Sequence, residues 1–144
     1  MNQDLGHWVT SIDIPEEIFG FVYRITNLEN NKMYIGKKLC TSVKKLPPLK
    51  GKTRKRHKKV ETDWKTYTGS SPELNEDIKK LGKDKFKFEI IKFCTCKWEL
   101  SYFEAKAQFE EDVLFKQDEY YNGIINLRTV SYTHLRAHET VLDL

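Results

Sequence analysis

Two runs rich in β-branched and aromatic residues, FVYRIT at 21–26 and KMYIG at 32–36, flank the pair Asn30-Asn31. Asparagine tolerates the left-handed backbone that a tight turn needs, so the three pieces together predict an antiparallel hairpin. A turn centred on Asn30-Asn31 sets residue Asn27 opposite Tyr34, Ile25 opposite Gly36 and Tyr23 opposite Lys38. Side chains alternate faces along a strand, so Tyr23, Tyr34, Gly36 and Lys38 then share one face. A four-residue loop keeps that parity and a three-residue loop breaks it. Two phenols and an ammonium around a glycine without a side chain make a floor on which a phosphate can rest closely. The same pattern also fits an ordinary strand, with Phe21, Tyr23 and Ile25 buried and the hydroxyl at the rim.

Charge is distributed unevenly. The segment 37–59 holds 11 of the 25 basic residues and no acid. The remainder of the 144-residue chain has 14 bases against 21 acids. Such a run repels itself and calls for a polyanion, for which phosphate backbone is the commonest source. The residues expected to contact nucleic acid are Gly36, Lys44, Lys45, Lys52, Arg54, Lys55, Arg56, His57 and Lys58. Pro47-Pro48 and Gly51 interrupt any helix there, so 37–62 reads as a long loop or irregular arm. A solvated loop without a partner is the bland alternative.

The rest of the chain predicts alternating elements. Residues 1–19 read as an irregular lead-in without the apolar core of a secretory leader. Ser71-Pro72-Glu73 is a helix start, and PELNEDIKKL should run to a stop at Gly82. KFKFEIIKF at 85–93 predicts a strand. From Trp98 to about Phe115, Leu100, Phe103, Ala107 and Leu114 fall on one helical stripe, with Ser101, Glu104, Gln108 and Glu111 forming a polar stripe that by default is solvated. No run approaches membrane-span length. Cys40, Cys94 and Cys96 lack zinc-finger spacing and read as reduced thiols. The segment 130–144 changes character and resembles translated sequencing-adaptor strings. It is expected to be an artefactual tail, so His134 and His138 are given no role.

FVY at 21–23 and YIG at 34–36 resemble the paired motif of the GIY-YIG nucleases, with Phe21 and Val22 departing from the first half. YTGSSPELNEDIKKLGKDKFKFEIIKF is similar to that family's Gly-Ser-Ser, helix and third strand. ELSYFEAKAQFEEDVL resembles its glutamate-bearing helix and YYNG its late asparagine motif. The resemblance is nearest to small phage-encoded endonucleases, which share a basic insert followed by a Trp-Lys-x-Tyr segment.

This resemblance implies an α+β domain, with a small central three-stranded antiparallel sheet flanked by helices, over 20–129, with the basic insert at 37–62. It implies a DNA endonuclease using Mg2+, or another divalent cation such as Mn2+, in a family that includes homing endonucleases. A phage-encoded member would work in the cytoplasm of its bacterial host, on DNA and not at a membrane. Residue by residue, Glu104 matches the metal-binding glutamate. Tyr23 matches the tyrosine that helps activate water, Tyr34 the one that lines the site, and Asn122 the late asparagine, for which Asn126 competes. A tyrosine is a poor base at neutral pH unless a cation such as Lys38 favours phenolate. The family's catalytic arginine has no match between Gly36 and Arg54, which leaves Lys38, Lys44, Arg54 and Arg56 as substitutes and His57 as the candidate for a family histidine. A binding module that keeps the fold without cutting is the alternative, and a basic structural protein the third.

Overall fold

In a computed structural model the chain is described over residues 4–125. The expected tail at 130–144 and the competing Asn126 lie outside that range. The central sheet has order β2-β1-β5, built from β1 (Gly20–Asn27), β2 (Met33–Leu39) and β5 (Phe86–Cys94), all antiparallel. Two helices accompany it, α1 (Pro72–Leu81) and α2 (Lys97–Glu110). This is the expected α+β class with three antiparallel strands.

The hairpin forms as expected, with a register two residues from the one expected. Tyr23 pairs with Gly36 and Ile25 with Tyr34, across a four-residue loop from Leu28 to Asn31. Asn31 takes φ +61°, and the Asn27 and Asn31 amides donate to Lys32 and Asn27 carbonyls. A shift of two preserves parity, so Tyr23, Tyr34, Gly36 and Lys38 still share a face.

The two faces of the sheet bury different cores. On the tyrosine face Phe21, Tyr23 and Ile25 pack with Trp8, Trp64, Leu74 and Phe88. On the other face Val22 and Ile35 pack with Leu100, Val113 and Tyr120. Helix α1 begins where expected, with Ser71 Oγ accepting from the Leu74 amide, and ends at Gly82 (φ +92°).

Three expectations need correction. The basic arm is a two-stranded ribbon, β3 (Thr41–Leu46) with β4 (Arg56–Glu61), and Pro47, Pro48 and Gly51 lie in its connection. Proline and glycine that break a helix serve equally well in the turn of a hairpin. The helix expected to reach Phe115 ends at Glu110. Asp112 adopts a left-handed φ of +51°, and a short 3-10 turn follows at Val113–Phe115. Leu114 therefore leaves the apolar stripe and is exposed. The lead-in supplies a core residue: Trp8 is buried, its indole donates to the Trp64 carbonyl at 2.5 Å, and Val9 bridges to the edge of β5.

No helix among the described residues is long and apolar enough to cross a membrane. Cys40, Cys94 and Cys96 are free thiols, and burial pushes the first two up to about 12, which leaves them poor nucleophiles.

Candidate active site

Strand β2 is the outer strand of the sheet, and a groove of about 410 Å³ lies along its outer edge. Tyr23 and Tyr34 enter it from one face of the sheet, and Glu104 and Gln108 enter from α2 on the other. Lys37, Ser70 and the segment from Tyr121 to Ile124 complete the wall.

Tyr23 is held in place by close packing. Its ring lies 5.0 Å from Trp8 and 6.2 Å from Tyr34 and Tyr67, between centroids. Its hydroxyl sits over Gly36, where a Cβ would come within 2.5 Å of it. The sequence reading treated the missing side chain as room for substrate; the space is filled by the phenol. Gly69, at φ +87°, flanks the same hydroxyl. A β-bulge opens in the β1–β5 pairing between Val22 and Tyr23, next to this ring. Gly36→Ala is therefore expected to push the Tyr23 ring off its seat and to cost about 1–3 kcal/mol, as overpacking does. Denaturant unfolding measures the loss, and a variant as stable as the wild type would contradict the close approach.

Burial raises the Tyr23 pKa well above the ordinary phenol range, and the neighbouring Tyr34, Tyr67 and Glu104 push it the same way. Tyr34 is raised as well, chiefly by burial, although its hydroxyl shares a hydrogen bond with Ser70 Oγ at 3.0 Å. Both phenols are thus protonated donors at neutral pH. The cation expected to favour phenolate is elsewhere: Lys38 Nζ pairs with Asp63 at 3.0 Å and lies 4.1 Å over the Tyr67 ring. It shares the tyrosine face, but Asp63 and Tyr67 hold it outside the groove.

Glu104 is the chief acid of the groove. Its side chain is 13% exposed, so the default of a solvated helix glutamate does not hold. Burial raises its pKa, against the opposing pull of Lys37, whose ammonium is 3.8 Å away. Lys37 also donates to Ser101 Oγ at 3.1 Å. The stripe Ser101–Glu104–Gln108 thus faces β2. Gln108 is buried, donates from Nε2 to the Ile35 carbonyl at 3.0 Å, and has no donor to its Oε1 among the described residues.

Asn122 lines the groove and is buried, with its amide committed twice. It accepts from the Ile35 amide at 2.9 Å and donates to the Ile35 carbonyl at 2.8 Å. It continues, with a side chain, the pairing that Tyr121 makes with the Met33 backbone, and so clamps the edge of β2.

The remaining expected residues are not brought together here. Lys44, Lys45, Arg56, His57 and Lys58 lie on the exposed ribbon, and Lys52, Arg54 and Lys55 in its connection. Among the described residues no arginine lines the groove, and Lys37 is the cation there. The sequence reading missed Lys37, Ser70 and Gln108. The spacing of Ser101, Glu104 and Gln108 was visible, but only the packing of α2 on β2 shows that the stripe points inward.

The family model described as "Putative endonuclease segE, GIY-YIG domain" matches residues 6–125, a span that includes Trp8, the ribbon and every residue of the groove. No curated protein and no solved structure matches the chain. With that match over most of its length, and with a three-stranded antiparallel sheet flanked by helices, the chain belongs to the GIY-YIG nuclease family.

Proposed function

We propose that the protein is a DNA endonuclease that hydrolyses phosphodiester bonds in the groove at the outer edge of β2, with a divalent cation, Mg2+ or Mn2+, held at Glu104. The observation that carries this reading is the half-buried Glu104 carboxylate, raised by burial, opening on the same groove as two protonated phenols and Lys37.

The donor set suits magnesium. No cluster of three or more His, Cys, Asp or Glu residues exists among the described residues, so a cage-type site is not offered. Magnesium keeps several waters and takes one or two carboxylates together with substrate phosphate, which a single Glu104 on an open groove provides. The buried Gln108 Oε1, one turn along α2, is an acceptor able to orient a water there. When bound, the ion would supply charge neutralisation at the phosphate and acidify water.

The chain's own groups then divide the work. Glu104 would hold the ion. Tyr23 and Tyr34 donate hydrogen bonds to phosphate oxygens or to the attacking water, since burial keeps their protons on. Lys37 adds positive charge to the groove, without the planar fork by which an arginine grips phosphate at two points. Lys38 orders Asp63 and Tyr67 beside the site, and Asn122 keeps β2 in position. The basic ribbon supplies attraction to the DNA backbone.

Supercoiled plasmid is expected to be cut with magnesium present and left intact with a chelator. Tyr23→Phe removes one donor with little change of shape and should slow cutting about 100-fold, while Tm stays near that of the wild type. Cutting in chelator would remove the ion from the reading, and an undiminished Tyr23→Phe would remove the phenol. One observation favours a second reading, a module that binds DNA without cutting: no arginine among the described residues lines the groove. DNA binding with no cleavage in magnesium or manganese selects that reading.

A further inference from the structure

We infer that the β3–β4 ribbon enters the major groove of duplex DNA and sets where the active groove sits on its substrate. This rests on the nuclease reading above for the identity of the polyanion.

The register carries the argument. Lys44 lies opposite Lys58, Lys45 opposite His57, and Leu46 opposite Arg56. Like charges directly across a ladder destabilise a hairpin, so the arrangement is maintained against its own repulsion unless a polyanion offsets it. Alternation puts Lys44, Arg56 and Lys58 on one face and Lys45, His57 and Lys59 on the other. Residues 42–45 and 56–59 are exposed, so neither face is a core face.

Charge on both faces distinguishes two modes of binding. A ribbon lying flat along one phosphate backbone needs cations on one face only. A ribbon inside a groove has phosphates on both sides. The major groove of B-form DNA is about 12 Å wide and admits a two-stranded ribbon, whereas the minor groove, about 6 Å wide, does not. The major groove of an RNA duplex is too deep and narrow, so the ribbon should select DNA.

The ribbon is also aimed. Only Cys40 separates β3 from β2, the strand that carries Tyr34, Gly36 and Lys37. The base is pinned where Cys40 donates to the Phe19 carbonyl at 2.9 Å and Thr62 bonds the Leu39 and Cys40 carbonyls at 2.7 and 3.0 Å. Each strand has 6 residues. At about 3.3 Å per residue that is roughly 20 Å, or about 6 base pairs of groove to one side of the scissile bond.

The test is a dimethyl sulfate footprint of the full chain on duplex DNA in the presence of a chelator, which separates binding from cleavage. Guanine N7 in the major groove should be protected over about 6 base pairs, with adenine N3 in the minor groove left reactive. The variant Lys44→Gln/Lys45→Gln/Lys58→Gln/Lys59→Gln should lose the N7 protection. It should also flatten the dependence of log affinity on log salt by roughly 3 to 4 units. Because it removes like-charge pairs, its Tm at low salt should equal or exceed that of the wild type, which shows that it folds. Protection confined to adenine N3, equal affinity for an RNA duplex, or wild-type binding by the variant would each overturn the proposal. An N7 footprint without cleavage in magnesium would sink the nuclease reading and leave the ribbon standing. Cleavage without the footprint would do the reverse.

Discussion

Glu104→Gln is expected to reduce plasmid cleavage by about a thousand-fold or more while leaving DNA binding in chelator unchanged. Loss of a carboxylate that holds an ion forfeits several kcal/mol of transition-state stabilisation, and about 4 kcal/mol corresponds to three powers of ten in rate. The glutamine keeps the shape of the side chain, and Lys37 keeps its hydrogen bond to Ser101 Oγ, so packing of α2 on β2 should survive. The pH dependence provides a second check. Burial raises the Glu104 pKa in the absence of a divalent ion, so this check is made on stability in chelator. Between the unfolded pKa and the raised folded one, the native state binds more protons than the unfolded chain. Stability contributed by this group therefore falls as pH rises across that window and stays lowered above it. Glu104→Gln should accordingly unfold at a higher temperature than the wild type near neutral pH, with the difference shrinking in acid. A variant that still cuts, or one whose stability difference grows in acid, would contradict the placement of Glu104 as a buried carboxylate at the reacting centre.

Trp8→Ala carries the largest expected effect on stability, about 3–5 kcal/mol, as for other buried aromatic residues reduced to alanine. Trp8 is 3% exposed and packs edge-on against Phe21 at 5.0 Å and Phe88 at 5.7 Å. Its truncation also leaves the buried Trp64 carbonyl without its indole donor. For a domain of this size the loss corresponds to a Tm lower by roughly 10–20 °C. Trp8 also stands 5.0 Å from Tyr23, so the fraction that remains folded should cut more slowly. A Tm change of only a few degrees would show that the lead-in rests on the domain without completing its core.

Much of the architecture was legible from local patterns, because those patterns are set by neighbours in sequence. The Asn30-Asn31 turn, the cap formed by Ser71 and Pro72, and the Gly82 stop each depend on a residue's own backbone preferences. The alternation of β1 and β2 carried the parity of Tyr23, Tyr34, Gly36 and Lys38, and a two-residue error in register left it intact. The family resemblance supplied what spacing alone left open, the significance of Glu104 among many surface glutamates.

What escaped the sequence depended on distant partners. The basic arm has no apolar face to reveal its strands, so its pairing is visible only in the register of β3 with β4. Lys37 and Lys38 are adjacent residues with the same charge. Alternation sends one across the sheet to Glu104, and Asp63 and Tyr67 draw the other aside. Asn122 was matched to the family's late asparagine, and only the structure shows its amide bonded to both backbone groups of Ile35. Gly36 was read as space and proved to be the seat of a phenol. The sequence by itself determined the three strands of the central sheet, the start of each helix and the side chains of the hairpin that share a face, since those follow from local capping and from periods of two and 3.6 residues. Only the tertiary structure decided which titratable groups meet, because α2 and the segment at 121–124 approach the outer edge of β2 from parts of the chain more than 60 residues away, and burial there raises the Tyr23 and Glu104 pKa values.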